Sequence, residues 1–263
     1  MVLVSDVLEY MWSIAPEAGK EPWDNVGLLV GRKNASVTKV LVALDITFPV
    51  IAEAKELGAE LIVSHHPLIW DTYKHVTDTV LQQDKVMTLV ENHLAAICMH
   101  TNLDEAIDGV DDTLCETLGL LPEGHLAEDR IGHVSNLSGP MALQDFLALV
   151  QEKLGANGLR YFDADRPVFR VGTGCGSCGE YLREAHEAGC DTFLTGDVKY
   201  SVFLDAQGYG MNLIDAGHFP TENPIVQKVA GKLREAFPQL EIHVSDVSVQ
   251  PDRFFTRNSH GIA

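Results

Sequence analysis

The chain has 263 residues, 46% of them hydrophobic and 22% charged, with 38 acidic against 19 basic side chains and a formal charge of −19. That length allows one large domain or two small ones around a substantial core, and an acidic field with no Lys/Arg cluster to reverse it excludes nucleic acid and anionic membrane as natural partners. No apolar run approaches the roughly 18 residues of a membrane span, and the first charges, Asp6 and Glu9, are acidic, unlike those of a signal peptide, so a soluble cytoplasmic protein is expected.

In chain order, residues 4–15 show helical spacing of apolar positions and stop before Pro16. Residues 39–45 read as a short buried strand, residues 48–57 as a helix stopped by Gly58, and residues 61–64 as a second strand that ends at His65-His66-Pro67. Strand, helix and strand in this order outline a βαβ unit with a parallel sheet. A later strand, residues 94–99, runs into His100-Thr-Asn-Leu-Asp104. Residues 124–166 are richer in loop signals and hold one amphipathic helix, 142–154.

A second unit follows. Phe169 leads through a glycine-rich turn into a helix over 180–188, and after Gly189 comes a strand over 191–195. An offset of 131 residues lays the two units over one another without a gap: Val40 meets Val171, Gly58 meets Gly189, and His65-His66 falls on Gly196-Asp197. This points to an internal duplication. The strand 211–215 then runs into Ala216-Gly-His-Phe-Pro-Thr-Glu222, followed by a helix over 225–237, a strand over 241–247 and a tail from Arg257 that reads as unstructured. The domain expectation is a first α/β half over 1–125, a connecting segment over 126–168 and a second half over 169–263.

In open α/β sheets, sites gather at the carboxyl ends of strands, and the strand ends here carry His65, His66, His100, Asp104, His218 and Glu222. Taken alone, the His-His pair reads either as two packed, hydrogen-bonded rings or as ligands aimed apart, which suits two ions better than one. Glu222 lies four residues beyond His218, the spacing of one side of a helix start, with His218 itself expected just before the first turn. Imidazoles and carboxylates without a thiolate suit Zn, Mn, Fe, Co or Ni. Cys175-Gly-Ser-Cys178 has no second pair and reads as a close-packed turn, and an odd count of five cysteines reads as reduced thiols. The stretch Gly172 to Gly179 fails the spacing of a dinucleotide fingerprint. His75, His93, His125, His133, His186, His243 and His260 have no ligand spacing and read as solvated or packed.

Five stretches in order, Trp23-Asp-Asn-Val-Gly-Leu28, Ser64-His-His-Pro-Leu68, His100-Thr-Asn-Leu-Asp104, Gly196-Asp-Val-Lys-Tyr200 and Asp215-Ala-Gly-His218 through Glu222, resemble the NIF-three-like family, whose bacterial members are often labelled GTP cyclohydrolase type 2 homologues. The resemblance implies two intertwined, pseudo-symmetric, three-layer α/β halves and two divalent metal ions per subunit. By motif position, His65 and His218 would hold one ion, His66 and Asp104 the other, and Glu222 would bridge, with His100 a nearby ligand or a group behind the ligands. It further implies a toroidal homohexamer with sites facing an inner cavity. One position departs: the family pattern commonly continues Lys-Tyr-His, where this chain has Ser201. The functional expectation is a metal-dependent hydrolase of a nucleotide-like small molecule, in which Asp24 or His100 shuttles protons and Lys199 steadies developing negative charge. The alternative is a non-catalytic protein that binds or delivers metal or serves as a scaffold.

Overall fold

The structure, a computed structural model, describes residues 1–127 and 130–255. The tail expected to be unstructured, with His260, lies outside the described residues. Two open sheets dominate. The first has five strands in the order Glu241–Val244, Lys39–Ala43, Leu61–Ser64, Ala95–Cys98 and Gly27–Val30, all parallel except the last. The second has six, in the order Leu121–His125, His133–Met141, Val168–Thr173, Thr192–Thr195, Asn212–Asp215 and Arg160–Phe162, with a parallel centre and antiparallel flanks.

The duplication is visible in the register. Val40 pairs with Leu61 as Val171 pairs with Thr192, and Val42 with Val63 as Thr173 with Leu194. The strand-entry bonds repeat as well: Glu60 N–H donates to Lys39 O at 3.2 Å and Asp191 N–H to Arg170 O at 2.9 Å. The linking helix of the first unit, Phe48–Leu57, begins at Thr47, whose hydroxyl accepts from Val50 N–H, and ends at Gly58 in the left-handed region with φ 69°.

Side-chain alternation along the strands builds the layers. Val40, Val42, Leu61 and Val63 of the first sheet face the same core as Val171, Leu194 and Ile214 of the second. Between them lie helices Val4–Ile14, Val110–Leu118, Leu143–Leu154 and Pro224–Ala236, whose apolar faces enter that core. The opposite faces are covered separately. Leu41, Ala43 and Ile62 pack on Val50, Ile51 and Leu89, while Phe193 and Leu213 pack on Leu182, Ala185 and Ala206. Each half is therefore a three-layer sandwich, and the two share their inner helical layer.

Strand pairing divides the chain differently from the expected 1–125, 126–168 and 169–263. Leu121–His125 and His133–Met141 belong to the second sheet, as does Arg160–Phe162, so the expected connecting segment contributes two strands to that sheet and is part of the second half. Ser135, Asn136, Gly139 and Pro140 make the strand His133–Met141 read as a turn, but pairing with Val168–Thr173 outweighs local propensity. In the other direction, Glu241–Val244 leaves the second half and adds a parallel edge to Lys39–Ala43 of the first, which is the physical content of the intertwining.

Phe146 sits fully buried in the shared helical layer. Phe146→Ala is expected to cost about 3–5 kcal/mol of unfolding free energy, read by chemical denaturation. A loss below about 1 kcal/mol would show that the two sheets do not share a packed core.

Candidate metal centre

Three loops at strand carboxyl ends meet between the halves. His65 and His66 leave the strand Leu61–Ser64, and His66 N–H donates to Leu44 O at 3.0 Å, turning the chain across the neighbouring strand's end. His100 caps the short helix Thr101–Asp104, which puts Asp104 one turn further on. His218 and Glu222 open and close the short helix His218–Glu222 after the strand Asn212–Asp215, so both face one side.

Every one of the four imidazoles is held by its Nδ1. His65 Nδ1–H donates to Met99 O at 2.9 Å, His66 to Asp45 at 2.8 Å, His100 to Asp24 at 3.0 Å and His218 to Asp197 at 2.9 Å. An acceptor at Nδ1 fixes the tautomer and frees Nε2 for a ligand, the arrangement that metal-binding histidines use. The free edges converge. His66 Nε2 is 3.3 Å from His218 Nε2, and these lie 3.0 and 3.1 Å from Glu222 Oε2. His65 Nε2 is 3.6 Å from Asp104 Oδ1 and 3.9 Å from Glu222 Oε1. Ligand atoms of His65, His66 and His100 form one group within 4.8 Å of one another, and those of His66, His218 and Glu222 form a second.

These donors fit cations better than they fit one another. His65 Nε2, Asp104 Oδ1 and Glu222 Oε2 are buried without an aligned hydrogen bond, and a buried polar atom without a partner costs about 1–3 kcal/mol. Burial pushes His65 down to about 3, which keeps it neutral and available as a ligand. Burial opposes charge on His66, but the carboxylates of Asp45 and Glu222 outweigh it and hold the ring near 10, so an ion there displaces a proton. Burial and the neighbouring charges of Glu222 and Asp111 raise Asp104, whereas His218, His66 and His65 together lower Glu222 despite its burial.

The second half shapes the floor. Gly176, at φ 57°, lies so close that a Cβ there would overlap Glu222 Oε1 and stand 3.1 Å from His218 Nε2. Gly176 N–H donates to Thr221 Oγ1 at 3.0 Å, and the adjoining Cys175 N–H donates to the buried Asp111 at 2.9 Å. Cys178 Sγ donates to Cys175 O at 3.0 Å, and burial raises both thiols well above their usual range. The CxxC is therefore a packed turn beneath the site.

The structure brings together His65, His66, His100, Asp104, His218 and Glu222, with Asp24 behind His100. Asp24 also accepts from Thr101 N–H at 3.0 Å and Thr101 Oγ1–H at 2.6 Å, and these bonds with His100 overcome burial and lower its carboxyl to about 2. His66 lies beside His218 at 3.3 Å and His65 beside Asp104 at 3.6 Å, with Glu222 within 3.9 Å of all three imidazoles. One expectation changes. Lys199 is exposed at the start of helix Tyr200–Tyr209, as is Ser201 in its first turn, and neither lines the cavities at the cluster. Those cavities, about 320 and 350 Å³, open on the two sides of the His66–His218 pair.

Asp45 and Asp197, which orient His66 and His218, went unassigned from sequence. Their signal was position: Asp45 just beyond the strand Lys39–Ala43, and Asp197 at the place the repeat gives to His66. Asp111 gave no such signal, since its loop contacts come from residues 132 and 175.

Comparison with known proteins agrees with this architecture. A family model described as Duf34/NIF3 (NGG1p interacting factor 3) matches residues 2–251. The GTP cyclohydrolase 1 type 2 homolog of Clostridium perfringens is 35% identical over 259 residues, spanning 95% of this chain and 99% of its own. A crystal structure of a Staphylococcus aureus hypothetical protein superposes with a TM-score of 0.87 at 26% identity, covering 96% of this chain and 99% of that one. The Bacillus cereus protein related to NIF3 gives 0.89 at 23% identity, over 97% and 99%.

Because Gly176 has no room for a side chain, Gly176→Ala is expected to displace Glu222 and lower bound metal per chain at least about tenfold at limiting metal. Elemental analysis after gel filtration reads this, beside a melting curve that allows for about 1 kcal/mol of backbone strain. Wild-type metal content in a folded Gly176→Ala variant would refute the cradle.

Proposed function

The chain belongs to the Duf34/NIF3 family, and on that premise we propose that it is a hydrolase working with two divalent ions held by His65, His66, Asp104, His218 and Glu222. His65 and His218 would hold one ion and His66 and Asp104 the other, as the family motif allots them, with Glu222 shared and His100 beside them. The observation that carries the reading is the set of three imidazoles, His65, His66 and His218, tied at Nδ1 and converging at Nε2 on the buried Glu222, with His100 tied the same way beside His65 and His66. A nitrogen and oxygen donor set without thiolate favours Fe, Zn, Mn, Co or Ni. When bound, such a pair of ions supplies Lewis acidity and a nucleophile at neutral pH.

The chain's own residues supply the rest. Asp24 holds the Nδ1 proton of His100, leaving its Nε2 to accept a proton from the nucleophile and return it to the leaving group. Trp23 and Trp70 stand edge-on to His100 with ring centroids 6.0 and 5.2 Å away. The substrate is a nucleotide-like small molecule, a reading supported by the GTP cyclohydrolase names of the relatives. The assembly proposed with it is a toroidal homohexamer in the cytoplasm. Among the described residues no helix is long and apolar enough to cross a membrane.

Ser201 supports a second reading. The family pattern commonly has a histidine where this chain has Ser201; if that histidine carries protons, the chain lacks one carrier while its ligand set stays whole. On that reading the protein holds or delivers metal without turnover.

The test is metal-loaded protein assayed on nucleotides, GTP among them, and on phosphoesters, beside Glu222→Ala. The hydrolase reading expects about two ions per chain and turnover that falls about 100-fold or more in Glu222→Ala. Full metal with no turnover above the variant rejects the hydrolase and selects the second reading. Near-zero metal after gentle purification rejects both.

A further inference from the structure

Helix Leu81–Glu91 packs through Leu89 on the outer face of the first sheet and presents Lys85 to the 320 Å³ cavity that His66, His100 and His218 also line. Lys85 is half-buried, and no carboxylate among the described residues comes within 4.0 Å of its ammonium. Asp45, the acid whose charge reaches it, is already committed to His66 Nδ1 at 2.8 Å. In a chain with 38 acidic and 19 basic residues, a partly desolvated lysine without an ion pair beside the site is conspicuous. Two hydrogen-bonding side chains share the cavity with it. Thr47 Oγ1 accepts from Val50 N–H at 3.3 Å and so keeps its own hydrogen for donation, and Gln82 is exposed. Trp70, 49% exposed, forms an apolar wall. The volume falls in the range of small-ligand sites.

We propose that Lys85, with Thr47 and Gln82, binds the phosphoryl group of a small molecule whose planar part packs on Trp70, so that the reacting bond faces the His66–His218 edge. This places the charge-recognising cation on the helix Leu81–Glu91 and not at Lys199. Lysine suits the task as a compact point charge with three donors. The assignment uses the hydrolase reading to orient the ligand, but its test reads binding alone.

Inorganic phosphate, GMP and guanosine are titrated into metal-loaded wild type, Lys85→Met, Lys85→Arg and Trp70→Ala, with Kd read by calorimetry and metal content and melting temperature checked. Lys85→Met is expected to weaken phosphate and GMP about 10- to 100-fold, to leave guanosine within about threefold and to leave bound metal unchanged. Lys85→Arg retains most of the phosphate affinity, and Trp70→Ala weakens guanosine and GMP alike. Unchanged phosphate affinity in Lys85→Met, equal weakening of guanosine, or no phosphate binding by wild type overturns the proposal. Phosphate binding that depends on Lys85 without any turnover rejects only the hydrolase, whereas turnover that ignores Lys85→Met rejects only this site.

Discussion

Glu222 is a buried carboxylate approached by imidazole edges that have already given their other nitrogen to an acceptor. Left to itself this is an expensive arrangement, because burying charge and leaving lone pairs unmatched both oppose folding. It is affordable only because the Nδ1 tethers to Asp45, Asp197 and Met99 O come from rigid strand ends, so the rings cannot swing away to find water. The same rigidity keeps the donors aimed at points where a cation would satisfy them together.

The centre belongs to neither half. His65, His66, His100 and Asp104 follow strands of the first sheet, while His218, Glu222, Asp197 and Gly176 follow strands of the second. What sets the gap between them is the helical layer that both sheets bury, with Phe146, Leu114 and Val229 in its packing. A change in that layer alters ligand distances without touching a ligand. Close backbone approach does the fine adjustment. A Cβ on Gly196 would stand 2.6 Å from Gly217 C, and Asp197 takes φ 50° to bring its carboxylate under His218. Such positions are tolerated where the surrounding packing over-determines them.

The acidic chain surrounds the site with carboxylates that serve the histidines, which leaves anion recognition to be solved locally. Ions held by the cluster would supply part of the positive charge an anion needs, and Lys85 lines the cavity beside it. The two cavities on either side of His66 and His218 give the cluster two open approaches, one walled by Trp70 and the other by Phe219 and Asp252.

Local pattern by itself determined a good part of this protein. The apolar runs and glycine stops placed the strands Lys39–Ala43, Leu61–Ser64 and Thr192–Thr195 and the helices between them, and the repeat laid Val40 over Val171, which pair equivalently with Leu61 and Thr192. The side chains of the cluster were legible because histidines and carboxylates sit at strand ends, and that pattern is local in sequence. Only the tertiary structure decided which ligands share a neighbour, since His66 and His218 are 152 residues apart and their meeting depends on how two sheets pack. It also decided that Glu241–Val244 crosses to the first sheet, that the polar stretch His133–Met141 is a strand, and that Lys85 and not Lys199 faces the site. Periodicity encodes which face of an element is buried, but not which distant element will bury it.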